Sequence, residues 1–123
     1  MNSLFTPSSR ELWDLFKREE DEQDPRLGHG IERVEAPFGA FLEHVKSGDV
    51  VLLGYPDDRG VERNGGRTGA FAAPDLIRKF LFRLTPSYTS KNTPKIYDIG
   101  NLKTWSQDLP LSHEEARRAA LFL

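Results

Sequence analysis

No cysteine occurs in the 123 residues, so disulfides, thiol nucleophiles and thiolate metal sites are excluded together, and the chain fits a reducing compartment. Neither charge is in excess. Seventeen basic residues oppose nineteen acidic ones for a net charge of −2, too little to recruit nucleic acid or an anionic membrane. No apolar run approaches the roughly 18 to 20 residues that cross a bilayer, and the amino terminus has no basic region followed by an apolar core. No targeting signal or transmembrane helix is read, and the cytosol is the expected location. Internal repeats and low-complexity tracts are also lacking. What is there, 37% apolar and 29% charged residues, is ordinary for one globular domain with one modest core.

Hydrophobic periodicity divides the chain. Ser9 to about Glu22 reads as an amphipathic helix with Leu12, Leu15 and Phe16 on one face, Trp13 beside it, and a capping box from Ser8 and Glu11. The acidic run Glu19 to Glu22 lies where the helix dipole opposes it, so it reads as a solvated, fraying end. Gln23 to Glu35 is a polar linker punctuated by Pro25, Gly28 and Gly30. Pro37 to Ser47 reads as a short helix, with Phe38, Phe41, Leu42 and Val45 along one side and Gly48 after its end. The histidines are scattered at His29, His44 and His113, and each reads as a surface or structural side chain.

Val50 to Leu53 is a continuous apolar run, which suits a parallel strand covered on both faces. Lys95 to Ile99, closed by Gly100, is a second candidate strand. Between them Pro74 to about Leu84 reads as a helix, with Leu76, Ile77, Phe80, Leu81 and Leu84 on a broad apolar face. Strand, helix and strand make a βαβ unit, whose ligands gather at the carboxyl ends of the strands. A last helix is expected from Ser112 to Leu123, capped by Ser112 with Glu115. Two parallel strands do not make a sheet stable in water. The expectation is therefore a truncated domain, or a chain that pairs with another copy or another polypeptide.

The connection from about Gly54 to Ala73 has roughly twenty residues, where about two to six are usual. It carries five glycines among Asp57, Asp58, Arg59, Glu62, Arg63, Asn64 and Arg67. Composition alone fits a solvated excursion of turns. It also fits a rim that recognises a polar substrate, with arginine forking onto a carboxylate and Asn64 pairing with an amide or amidine-like group. Gly60 to Thr68 superficially suggests a phosphate loop. An extra glycine, Arg67 in place of lysine, and the distance to the next helix argue against it.

The spaced set Asp58-x-Gly60-Val61-x-x-Asn64-x-Gly66-Arg67-x-Gly69-Ala70, followed by Pro74-x-x-Ile77-Arg78, resembles the amino-terminal segment of the ureohydrolase family. Asn64 to Ala70 is most similar to its formimidoylglutamase branch. Asp98-Ile99-Gly100-Asn101 resembles the Asp-x-Gly-Asp or Asp-x-Gly-Asn element that ends the next strand, and the helix opened by Ser112 the one before the first metal-binding strand. The resemblance covers about Val50 to Leu123. Ala73 departs from it, standing where the family usually has glycine.

This resemblance implies an α/β fold, the amino-terminal portion of a three-layer α/β/α parallel-sheet (arginase-like) architecture, truncated here. Residues 1–49 would be a helical extension and linker, and residues 50–123 an incomplete βαβα start. It implies a metal-dependent hydrolase of histidine catabolism in the cytoplasm, acting on a small-molecule amidine or guanidino substrate through two manganese ions bridged by hydroxide. The family's Gly-Gly-x-His, Asp-x-His-x-Asp and Asp-x-Asp ligand elements are absent from this sequence, so no metal ligand or catalytic residue is assigned and the chain alone is expected to be inactive. Arg63, Asn64 and Arg67 are the candidate substrate contacts. For Arg67 a loop-organising salt bridge with Asp57 or Asp58 is the alternative. For the whole chain the alternative is a non-catalytic binding or assembly module that docks through its incomplete sheet.

Overall fold

The computed structural model describes residues 4–14, 23–35, 38–87, 94–103 and 108–123. Its elements are β1 (Phe5–Thr6), α1 (Arg10–Asp14), β2 (Ile31–Arg33), α2 (Phe38–His44), β3 (Val50–Gly54), α3 (Arg59–Arg63), α4 (Ala73–Leu81), β4 (Ile96–Leu102) and α5 (Leu109–Phe122). Short 3-10 turns at Leu27–Gly30 and Ala70–Ala72 precede β2 and α4. The protein is a mixed α/β chain with a small open sheet.

That sheet is built on β4. β3 runs parallel to it along one edge, pairing Val50 with Ile96 and Gly54 with Asn101. The other edge of β4 is shared. β2 pairs in parallel with Ile96 to Asp98, and β1 pairs antiparallel with Asn101 and Leu102. Two differences from the sequence reading follow. Among the described residues the sheet has four strands rather than two, and it is mixed rather than wholly parallel. The added strands have two and three residues, too few to display a two-residue period.

Gly100 does not close β4; the strand runs through it to Leu102. Between two paired positions, Leu52 and Gly54 advance by two residues on β3 while Asp98 and Asn101 advance by three on β4. The extra residue is a bulge, and Gly100 supplies its positive φ of 84°. A bulge reverses the in-and-out alternation beyond it. Tyr97 and Ile99 therefore share a core cluster with Leu102, and Asp98 shares its side of the sheet with Asn101.

Each face of the sheet carries an apolar cluster. On one, Tyr97, Ile99 and Leu102 pack with Phe5, Val34, Phe41 of α2 and Ala119 of α5. On the other, Leu12 and Trp13 of α1 meet Ile31 and Phe82, with Leu52 and Ile96 beside them. Trp13, expected only beside the apolar face of its helix, is itself core. Its ring lies 4.8 Å from Phe82, and its Nε1–H donates to the buried Ser8 hydroxyl at 2.8 Å. That bond gives Ser8 a role other than the expected helix cap.

The remaining helices agree in place and differ in detail. α1 ends its described part at Asp14; Leu15, Phe16 and the acidic run lie outside the described residues. Pro37 does too. α5 begins at Leu109, with Pro110 in its first turn and Asp108 as the cap, its carboxylate accepting from Leu111 N–H at 3.1 Å. The expected box of Ser112 and Glu115 is displaced, because Ser112 is already inside the helix and 2% exposed. β3 is less covered than its apolar run suggests: Val50 is exposed and Val51 to Leu53 are half-buried.

Candidate functional site

The carboxyl ends of β3 and β4 lie side by side, and three hydrogen-bonded arrangements shape the surface there. The first is buried. Arg78, on the sheet side of α4, forks onto Asp98, with Nε to Oδ2 and Nη2 to Oδ1 both at 2.9 Å. The same guanidinium donates to the Gly100 carbonyl at 2.7 Å and to Asn101 Oδ1 at 2.6 Å. Asp98 also accepts from Gly100 N–H at 2.9 Å, so one carboxylate satisfies both the helix and the bulge. Asn101 completes the link by donating to Asp75 at 3.2 Å, in the first turn of α4.

The second arrangement ties the long loop to α5. Asp57 accepts from the Arg59 backbone at 2.9 Å and from its guanidinium, and Tyr55 donates to the same carboxylate at 3.3 Å. Arg59 reaches on to the Ser112 hydroxyl at 2.9 Å, and the Tyr55 ring stands 6.0 Å from that of His113. The Arg59 guanidinium holds the Asp57 carboxyl down at about 2, from an ordinary 3.8, against the opposing effect of burial. Burial, and then the charge of Asp57, push the Tyr55 hydroxyl up.

A carboxyl depressed on folding stabilises the fold above its unfolded pKa and loses that contribution as pH falls toward its folded one. The drop from 3.8 to about 2 corresponds to about 2 kcal/mol. Urea unfolding of the wild type should therefore show that loss between about pH 5 and pH 2, and Asp57→Asn should flatten the profile there. Equal slopes in the two proteins would contradict this placement of Asp57.

The third arrangement closes the loop on itself. Asp58 accepts from Gly69 N–H at 2.8 Å, and Gly66 N–H donates to the Val61 carbonyl at 2.9 Å. The segment is thus a short helix and turns held by hydrogen bonds rather than a loose excursion. Arg63 ends α3, Asn64 caps it through its backbone, and Arg67 follows within one turn; all three are exposed. Of the two partners considered for a salt bridge with Arg67, Asp57 is engaged by the Arg59 backbone and side chain together, and Asp58 accepts from Gly69 N–H.

Below the loop, between β3 and α4, opens a cavity of about 400 Å³, lined among others by Gly54, Tyr55, Asp57, Pro74, Ile77 and Arg78. Arg63, Asn64 and Arg67 stand outside that lining. Tyr55, Asp57 and Arg78 were not selected from sequence as site residues. Their signal was the spacing of Asp57 before Arg59, and of Arg78 one turn into a helix whose following strand contains an aspartate.

Among the described residues no three histidine, aspartate or glutamate side chains converge as a metal site. His29 lies in the turn before β2, His44 bonds the Ala40 carbonyl at the end of α2, and His113 faces Tyr55. These residues do not fit a two-manganese centre, and no catalytic step is assigned to them. No described helix is long and apolar enough to cross a membrane.

No family model and no solved structure matches the chain. Curated sequences do. It is 33% identical over 95 residues to a formimidoylglutamase of Vibrio cholerae, covering 77% of this chain and 27% of that protein. A formimidoylglutamase of Klebsiella pneumoniae is 32% identical over 117 residues, 93% of this chain and 33% of the relative. One from Vibrio parahaemolyticus is 41% identical over 83 residues, 67% of this chain and 23% of the relative. The chain thus spans a third or less of the length of these relatives.

Proposed function

The chain is a partial match to the formimidoylglutamase branch of the ureohydrolase family, and from that premise we propose that it forms the amino-terminal part of a metal-dependent hydrolase cleaving a formimino or guanidino C–N bond. The observation that carries this reading is the 32% identity sustained over 93% of the chain. In this reading the fold is the start of an arginase-like three-layer sheet, and the protein works in the cytoplasm. Its two manganese ions would be held by residues other than those described. The loop between β3 and α4 borders the substrate entrance. Arg63, Asn64 and Arg67 present three side chains there with no packing duty, suited to the carboxylate or amide end of a small amidine substrate.

A swap tests the reading. With this chain in place of the matching segment of the Vibrio cholerae relative, manganese-dependent hydrolysis of a formimino amino acid should be retained, and the chain by itself should show none. A folded swap without activity would contradict it. The second reading, a non-catalytic module docking through its sheet, draws on the edge of β3 that meets no strand among the described residues, and expects that inactive swap.

A further inference from the structure

The long loop between β3 and α4 is fastened to α5 near its start. Arg59, the first residue of α3, lies between two acceptors. On one side Asp57, its side chain 4% exposed, takes the Arg59 backbone N–H at 2.9 Å and the Nε–H at 3.0 Å. On the other, Nη2 donates to the Ser112 hydroxyl at 2.9 Å, 53 residues along the chain. Ser112 Oγ gives its own proton to the Asp108 carbonyl at 3.1 Å, so it meets Arg59 as an acceptor. Two close approaches lie beside this bond. A Cβ added to Gly60 would stand 3.8 Å from Leu109 Cδ2, and the Tyr55 ring faces that of His113.

What is fastened there carries the rim. α3 has five residues, beginning with Arg59 and ending with Arg63. Asn64 N–H bonds the Gly60 and Val61 carbonyls, and Gly66 N–H bonds that of Val61, so the turn after the helix moves with it. The bond from Gly69 to Asp58 likewise stays within the loop. These bonds fix the shape of the segment, and the tie from Arg59 to α5 fixes its direction. A loop whose direction is free must be ordered when substrate binds, and that ordering weakens affinity.

We propose that Arg59 is a positioning residue, which clamps α3 between Asp57 and Ser112 so that Arg63, Asn64 and Arg67 meet a carboxylate-bearing amidine substrate already oriented. The reaction it serves rests on the family reading above, while the clamp rests on the geometry of this chain. Arg59 acts through the rim and does not itself touch substrate. Arginine suits the place, since its planar fork serves acceptors in different directions, whereas an ammonium is a single point charge.

Two measurements test the clamp. In the chain itself, trypsin cleavage after Arg63 and Arg67 reports how often the loop opens. Ser112→Ala removes the acceptor and leaves the Asp57 pair; it should speed that cleavage about tenfold, and Arg59→Ala by at least as much. Unchanged cleavage in both variants would overturn the proposal. A rise of the same size after Arg83, beyond α4, would mark general unfolding and overturn it too. In the swap with the Vibrio cholerae relative, Arg59→Ala should raise KM for the formimino substrate about fivefold with kcat nearly unchanged. Added to Arg63→Ala, Asn64→Ala and Arg67→Ala, the same change should do nothing more, because the rim it orients is gone. An unaltered KM in the first case, or an equal further rise in the second, would contradict action through the rim. An unfolded swap, or a folded one without activity, leaves the clamp to be decided by trypsin; the second also defeats the family reading.

Discussion

Arg78→Ala should destabilise the protein by about 3–5 kcal/mol, because it leaves the Asp98 carboxylate buried without its cation. Asp98 is 0% exposed and Arg78 4%, so solvent cannot replace the missing partner. The loss extends beyond one pair, since the same guanidinium bonds Gly100 and Asn101 and so fastens α4 to the end of β4. Arg78→Lys should recover only part of it, because an ammonium cannot make the two parallel bonds of the fork. A double-mutant cycle with Asp98→Ala separates the pair from its surroundings. If the two side chains act as a unit, the double variant is little worse than either single one, with a coupling close to the cost of one single variant, about 3 kcal/mol or more. Simple additivity in urea unfolding would contradict the buried fork.

Gly100→Ala should have a comparable effect for a different reason. The residue has a φ of 84°, and an added Cβ would lie 2.1 Å from the Thr6 carbonyl oxygen and 2.7 Å from Pro7 Cα. A left-handed conformation alone costs an ordinary residue roughly 1–2 kcal/mol. The clash is with backbone, which cannot turn aside as a side chain can, so β1 must part from β4. The expected total is about 3 kcal/mol or more. Gly65→Ala is the control, with a φ of 72° and nothing within 4 Å of the added atom. Only the conformational cost of about 1–2 kcal/mol is expected there. Hydrogen exchange at Lys103 N–H, which bonds the Leu4 carbonyl at 2.8 Å, should accelerate in the first variant and not in the second. Equal costs would show that the close approach of β1 is unimportant.

The elements legible in the sequence were those long enough to repeat a pattern. β3 showed as an apolar run, α2 and α4 showed as helical stripes, and α5 was read from a cap that lies one turn inside it, although β4 ran three residues further than its pattern indicated. β1 and β2 could not show, since Phe5–Thr6 and Ile31–Arg33 are recognised only by what they pair with. The stripe on α4 was correctly placed but its direction was hidden. An apolar face normally turns inward; here Leu81 packs on the core while Leu76, Ile77 and Phe80 are exposed, because Arg78 takes an inward position opposite Asp98, 20 residues away. At the site, residue type identified the loop, while its internal bonds depended on geometry. Asp57 chose Arg59 two residues on, and Ser112, a convincing cap by spacing, receives Arg59.

The rim itself is the central claim, and kinetics of the Vibrio cholerae swap test it most directly. Arg63→Ala, Asn64→Ala and Arg67→Ala remove exposed side chains, so each should change stability by no more than about 0.5 kcal/mol. Combined, they should raise KM for the formimino substrate by about tenfold or more, the equivalent of one lost charge-assisted contact, with kcat nearly unchanged. An unaltered KM in a folded, active swap would contradict a substrate-contacting role for this loop.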